Sequence, residues 1–418
     1  MNSSGIMRWF IWLSQLFYLL LLFYSQPTSS SSSSFNSSSL LLCSQDQSSA
    51  LLQFKQLFSL SEYASFFCDI SYPKMESWKE GTDCCSWDGV TCDSVRGDVI
   101  GLDLSCSWLD GTIPSNASLF LLPHLQRLNL AFNNFNDSQI SSGFGRFAKL
   151  RYLNLSWSRF DDEVPLELSH LSQLSSLDLS SNYWVSFETS VVKRLVQNLT
   201  KLRELHLDYV NMSSVSLSSF MNFSSLVSLT LEGCGLRGSL PNDIFGLQNL
   251  RKLNLRANDL IGEIPSSFSN LKALSYLSLG DNYLNGTIPL SLSNLKELSY
   301  LDLQGNNLSG PIPASFGNLT KVTQIFLDNN YFTGHIPSSL SYLKDLNIID
   351  LSDNKFQGRI LDFFTSLTKL AKVYLFYNQL ILISQDQYQY HLGTSQKLLI
   401  LCSMITTLPA KFHHHFQI

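Results

Sequence analysis

From Leu202 onward a block of the form LxxLxLxxNxLxGxIPxxLxxLxx returns every 24 residues. Three contiguous copies show it most plainly: LRKLNLRANDLIGEIPSSFSNLKA from Leu250, LSYLSLGDNYLNGTIPLSLSNLKE from Leu274 and LSYLDLQGNNLSGPIPASFGNLTK from Leu298. A unit this small cannot bury its apolar side chains alone. Units with a fixed period in this range therefore stack into a solenoid with one continuous core, each touching only its neighbours. The block begins at Leu125, Leu150, Leu174, Leu202, Leu226, Leu250, Leu274, Leu298, Val322, Leu346 and Leu370, after a degenerate copy at Val99. The early spacings are 26, 25, 24 and 28, and the extra residues between Leu174 and Leu202 are expected to loop out on the convex side.

Each element of the block has a physical task. The LxL pair points inward from a short parallel strand, and the next strand stacks about 4.8 Å away. The Asn at 133, 182, 258, 282, 306, 330, 354 and 378 carries donors and an acceptor, so it can satisfy backbone groups where the chain leaves the strand. Ser107, Ser158, Val210 and Cys234 replace it elsewhere, where a looser ladder is expected. The GxIP segment turns the chain and returns an apolar residue to the core. The expected fold is an α/β leucine-rich-repeat solenoid. It forms a curved right-handed superhelix with a concave parallel β-sheet, and about twelve repeats span residues 99–378.

Residues 9–24 form a 16-residue apolar run after Arg8, followed by a Ser-rich stretch. The run is short for a membrane span and has the flanks of a secretory signal peptide; an uncleaved N-terminal anchor is the alternative. We read residues 1–30 as the signal peptide and 31–42 as a Ser-rich linker. Five of the eight cysteines, Cys43, Cys68, Cys84, Cys85 and Cys92, precede the first repeat, and Cys106 lies within it. They read as a disulfide-stapled N-terminal cap over residues 43–98 that seals the open end of the core. Adjacent Cys84 and Cys85 need different partners. Cys85–Cys92 is the natural short bridge and Cys43–Cys84 the natural long one, with Cys68–Cys106 a further pairing; the sequence leaves connectivity open. Without CxxC pairs, no zinc or other metal is expected, and no cofactor is implied. The apolar residues at 50, 51, 54, 57 and 58 follow a helical period, so the cap should hold one amphipathic helix. Asn116, Asn136, Asn154, Asn198, Asn211, Asn222, Asn285, Asn307 and Asn318 head N-x-S/T sequons and are expected N-glycosylation sites.

The concave face is formed by the x positions of xxLxLxx. There Arg151, Tyr152, Trp157, Arg203, His206, Asp208, Tyr209, Glu232 and Arg256 stand out from small polar neighbours. Exposed aromatics and arginine anchor interfaces, so these residues form the expected ligand-binding patch; ordinary solvated variation is the competing reading. No nucleotide-binding glycine loop, HExxH or serine elbow occurs, and His206 and Asp208 lack a nucleophile, so the chain is not expected to be an enzyme. A net charge of −5 argues against a nucleic-acid partner.

The cap motif CSQDQSSALLQFKQLF, SWKEGTDCCSWDGVTCD and VIGLDLSCSWLDGTI, with the GxIP repeats, closely resembles plant leucine-rich-repeat receptor-like proteins of the tomato Cf resistance type, over residues 43–378. The resemblance implies the plant extracellular repeat type and a cell-surface receptor without a kinase domain. Such a receptor sits at the plasma membrane, binds an extracellular peptide or protein ligand in defence, and signals through a membrane receptor kinase. Family members carry more repeats and a transmembrane helix. Here the pattern lapses after Asn378; residues 379–418 read as an aberrant, disordered tail, whose apolar stretch Leu398–Leu408 is too short to span a bilayer. As written, the chain would be secreted. Truncation after about twelve repeats is the expected explanation, with a non-functional remnant or a secreted inhibitor similar to polygalacturonase-inhibiting proteins as alternatives.

Overall fold

The computed structural model describes residues 43–242, 245–359, 364, 366–381 and 399–401. The expected signal peptide and linker, and most of the expected tail, lie outside the described residues.

The repeats stack as their period requires. The long sheet holds fourteen strands among the described residues. All are parallel except the first, Val90–Cys92, which runs antiparallel to Val99–Asp103. Strands are mostly three residues long, and the register aligns the same leucine of successive repeats. Leu177, Leu205, Leu229, Leu253, Leu277 and Leu301 are direct partners in a row that continues through Ile325, Ile349 and Val373. All of them are buried, and each contributes about 1.5–3 kcal/mol relative to an exposed side chain.

The Asn of each block holds neighbouring repeats together. Asn258 Nδ2 donates to the carbonyls of Leu231 in the preceding repeat and Leu255 in its own, at 2.8 and 3.0 Å. Its Oδ1 accepts from the backbone N–H groups of Cys234 and Leu236 at 3.1 and 2.9 Å. The same backward bridge recurs at Asn282, Asn306, Asn330, Asn354 and Asn378. Two of the expected interruptions keep the bond by other means. Ser158 Oγ donates to Leu130 O at 3.0 Å, and the Cys234 thiol donates to Leu207 O at 3.0 Å. The ladder is therefore not loosened at these two positions, because a hydroxyl or a thiol still reaches the same preceding carbonyl. Burial pushes the Cys234 thiol pKa up to about 12, so this unpaired cysteine stays a neutral donor.

Beyond the Asn, the GxI segment forms a second parallel ladder of seven strands, from Arg237–Ser239 to Gln379–Ile381. On the remaining side the chain makes 3₁₀ turns, such as Ser266–Asn270 and Ala314–Asn318, each entered through a proline and burying one phenylalanine. The helical component is thus mostly 3₁₀. The residues between Leu174 and Leu202 do not loop out. They form an α-helix, Thr189–Asn198, that buries Val191, Val192 and Leu195 among the neighbouring 3₁₀ turns. The apolar spacing of that insert earns it a place in the core.

The cap closes the first repeat. Its helix Gln45–Lys55 is capped by Ser44 and buries Ala50, Leu51 and Phe54. Gln47 Oε1 accepts from Val99 N at 2.7 Å, tying the helix to the first repeat strand. The Trp78 and Trp87 rings stack 5.6 Å apart. Disulfides join Cys43–Cys84, Cys68–Cys106 and Cys85–Cys92. At the other end, Gln379–Ile381 and Leu399–Leu401 continue the two ladders, so backbone pairing runs beyond Asn378 although the leucine pattern does not.

Replacing Asn306 by Ala takes the buried amide of Leu284 from its acceptor and removes one of the two side-chain bonds at each of the Leu279 and Leu303 carbonyls, which keep Asn282 and Asn330. The expected loss is about 3 kcal/mol, read as a lower midpoint in chemical denaturation. Cys234→Ser keeps a donor at the same carbonyl and is expected to cost less than about 1 kcal/mol.

Candidate ligand-binding face

The residue before each ladder Asn turns the chain out of the strand, and it does so with positive φ. Phe132, Trp157, Ser181, Tyr209, Ala257, Asp281, Asn329, Asp353 and Tyr377 have φ between 50° and 61°, and Gly233 and Gly305 share the conformation. Gly, and less freely Asn and Asp, adopt this left-handed region at little cost, whereas a bulky side chain gives up about 1 kcal/mol or more. Phe132, Trp157 and Tyr209 accept that cost in the N-terminal half.

Their rings are in contact with one another through a neighbour. Phe132 stacks on Trp157 at 5.9 Å, Trp157 meets Tyr183 edge-on at 6.4 Å, and Tyr183 reaches Tyr209 at 5.8 Å. The cap joins the row where Phe67, on the loop closed by Cys68–Cys106, lies 4.9 Å from Trp157. Ser65 Oγ of the same loop donates to Phe132 O at 2.8 Å. Gly233 makes room at the far end, because a Cβ there would sit 2.5 Å from Tyr209 Cδ1.

Tyr209 also opens a polar cluster. Its hydroxyl donates to Glu232 Oε1 at 2.8 Å, Asn254 Nδ2 donates to Glu232 Oε2 at 2.8 Å, and Glu232 N donates to Asp208 Oδ1 at 2.7 Å. Burial and the Glu232 carboxylate push the Tyr209 pKa up to about 12. Burial likewise raises Asp208. His206 Nε2 lies 3.0 Å from Ser228 Oγ, with Asp178 3.9 Å from its Nδ1.

The structure therefore brings Trp157, Asp208, Tyr209 and Glu232, with His206 beside them, onto one surface. Arg256 turns the other way, pairing with Asp281 at 2.6 Å and Asp302 at 3.4 Å. Tyr152 sits under the Arg127 guanidinium, 4.6 Å from its ring centre, and Arg151 and Arg203 are exposed at the strand starts. Phe67, Phe132 and Tyr183 escape a reading confined to the strand positions. The signal for two of them is their place on either side of the ladder Asn position.

A second surface lies over the later repeats. Tyr276 and Tyr300 stack at 4.2 Å, and Phe326 follows at 5.6 Å. Beside this row stand Asp302, Asp328 and Asp350. Burial first, then the charges of Asp350, Asp302 and Asp281, push Asp328 up to about 7.

Among the sequons, Asn116, Asn136, Asn198, Asn211, Asn222, Asn285, Asn307 and Asn318 are exposed. Asn154 is half-buried on the long sheet, where its amide bonds Ser156 N and the Tyr152 hydroxyl at 2.9 and 3.3 Å. The sulfurs of Cys43, Cys84 and Cys85 lie within 4.8 Å of one another, but each is committed to a disulfide and offers no thiolate to a metal.

Comparison with known proteins gives this geometry a family. The family model described as a leucine-rich repeat region matches residues 187–412, and that of the leucine rich repeat N-terminal domain matches residues 44–93. Receptor-like protein 6 of Arabidopsis thaliana is 46% identical over 222 residues, covering 50% of this chain and 22% of its own length. Receptor-like protein Cf-9 of Solanum pimpinellifolium is 44% identical over 216 residues, covering 50% of this chain and 25% of its own length. The chain belongs to the plant leucine-rich-repeat receptor-like proteins. It spans about a quarter of the length of these curated relatives. Among solved structures, a TDR receptor aligns with TM-score 0.57 and 32% identity, covering 65% of this chain and 51% of that one. PEPR1-AtPEP1 aligns with TM-score 0.53 and 26% identity, covering 80% and 52%. The plant peptide hormone receptor RGFR1 in complex with RGF2 aligns with TM-score 0.51 and 25% identity, covering 71% and 61%. Among the described residues, no helix of this receptor-like protein is long and apolar enough to cross a membrane.

The acidic surface carries a pH dependence of definite sign. Folded Asp328 holds its proton up to about pH 7, whereas the unfolded carboxyl releases it near its ordinary 3.8. The folded state binds more protons in that window, so this group lowers stability as pH rises from about 4 to about 7. Thermal unfolding across that range should show Asp328→Asn with a flatter profile than the natural chain.

Proposed function

We propose that this chain is the ligand-recognition region of a kinase-less plant cell-surface receptor, extracellular and glycosylated, that acts in defence through a partner receptor kinase. The observation that carries the reading is the row Phe132, Trp157, Tyr183 and Tyr209. Three of these rings stand on backbone in the left-handed region, and they end in the acidic cluster of Asp208 and Glu232. Strain of that kind is retained where the surrounding structure holds it for a purpose, and aromatic side chains on an open sheet are the usual anchors of a protein or peptide partner. Two further facts support the reading: the similarity to Cf-9, a receptor-like protein, and to RGFR1, a peptide hormone receptor in complex with RGF2. The exposed sequons fit an extracellular surface.

The test is retention of extracellular peptides and proteins from pathogen-treated leaf tissue by the immobilised full chain, read by mass spectrometry. A specific component retained by the natural chain is expected to bind about 30-fold more weakly, or worse, when Trp157 and Tyr209 are both replaced by Ala, at about 2 kcal/mol for the pair. Equal retention by the two chains sinks the proposed face. Inhibition of a fungal pectinase by the natural chain would favour the secreted-inhibitor reading instead.

A further inference from the structure

The second ladder carries two sequons side by side. Asn285-Gly286-Thr287 and Asn307-Leu308-Ser309 lie on adjacent parallel strands, with Asn285 directly opposite Asn307. The strand that follows places Tyr331 opposite Ser309, two residues along from Asn307. Asn307, Tyr283 and Tyr331 line one open cavity of about 440 Å³, with Asn329, Asp353 and Lys355. Tyr283 and Tyr331 are 56% and 50% exposed. The Lys355 ammonium lies 5.0 Å from the centre of the Tyr331 ring. It comes from the following repeat, so the ring's uncovered face looks back toward the strand of Asn307.

A sugar suits this arrangement better than a peptide does. One face of a pyranose ring presents only C–H groups and packs flat on the negative face of an aromatic ring, while its hydroxyls and acetamido group take hydrogen bonds at the edge. Here the edge groups are the Asn329 amide and the Asp353 carboxylate. The sugar need not come from solution, because the attachment point is already in the cavity.

We propose that the cavity seats the proximal N-acetylglucosamine of the chain's own glycan on Asn307, with its C–H face on the open face of Tyr331. The inference rests on the secretory reading above. Attachment is ordinary N-glycosylation: Asn307 Nδ2 loses a proton and bonds the anomeric carbon of a lipid-diphosphate-linked oligosaccharide, whose lipid diphosphate leaves. The glycan then adds a contact across three repeats of the second ladder.

The test uses the full chain secreted by cells that leave glycans in the high-mannose form. Glycopeptide mass spectrometry reads occupancy at each sequon. Thermal unfolding is then compared after trimming to a single N-acetylglucosamine and after complete removal by an amidase. The single sugar is expected to raise Tm, and about 2 °C of that rise should disappear in Asn307→Gln. Tyr331→Ala should lose the same part, and Tyr331→Phe should keep it. An unoccupied Asn307 beside occupied sequons overturns the inference, as does a Tyr331→Ala chain that keeps the full rise. If no sequon carries a glycan, the secretory reading falls and the inference falls with it.

Discussion

A buried side-chain amide that satisfies two repeats at once is the constraint on which the rest of the structure rests. Where the chain turns out of each strand, backbone carbonyls and N–H groups point into the core, and water cannot reach them. Asn258 answers four of these groups from a single side chain, three of them in the preceding repeat and one in its own. Leaving such groups unpaired costs about 1–3 kcal/mol each, far more than a repeat of 24 residues can spare. The leucine row then supplies the non-directional part of the stability, and the amide supplies the direction in which one repeat must sit on the next.

The same turn sets where recognition can occur. The residue before the amide is held in the left-handed region, just past the end of its strand. In most repeats that place holds Gly, Asp, Asn, Ser or Ala, and of these Gly, Asn and Asp adopt the conformation most readily. Except for Tyr377, the aromatic exceptions fall in the N-terminal half, where the loop pinned by Cys68–Cys106 supplies Phe67 as the next ring. The candidate face is therefore a joint product of repeat geometry and cap chemistry. Farther along, the stacked tyrosines and the raised aspartates give the long sheet a second surface, acidic as well as aromatic.

Much of the fold could be read from spacing alone, because a repeat makes each position's environment a property of its column. The Leu register and the amide ladder are of this kind; the Cys85–Cys92 and Cys43–Cys84 bridges agree with the natural short and long pairings, but they lie outside the columns and spacing leaves their connectivity open. Cys234 and Ser158 were harder to read: neither resembles Asn, yet each places one donor at the required carbonyl. The insert before Leu202 reads as excess length until Val191, Val192 and Leu195 are recognised as an apolar helical face. Of the candidate site, Trp157, Asp208, Tyr209 and Glu232 come together as their columns suggest. Arg256 does not join them, since its partners Asp281 and Asp302 lie one and two repeats away and draw it along the sheet. Phe132 stands in the same column as Trp157 and Tyr209, whereas Tyr183, one place beyond Asn182, lies outside the strand positions; spacing identifies a column without revealing the sign of φ.

The amide bridges all reach backward. Asn282, Asn306 and Asn330 each bond a carbonyl of the repeat made before them and accept an N–H from that same repeat. A repeat leaving the ribosome is therefore incomplete until the next one has been synthesised, while the cap, with two disulfides of its own and a third to Cys106 of the first repeat, is made first. Maturation has a built-in arrow, and at every moment of synthesis the newest repeat is the one still waiting for its polar partners.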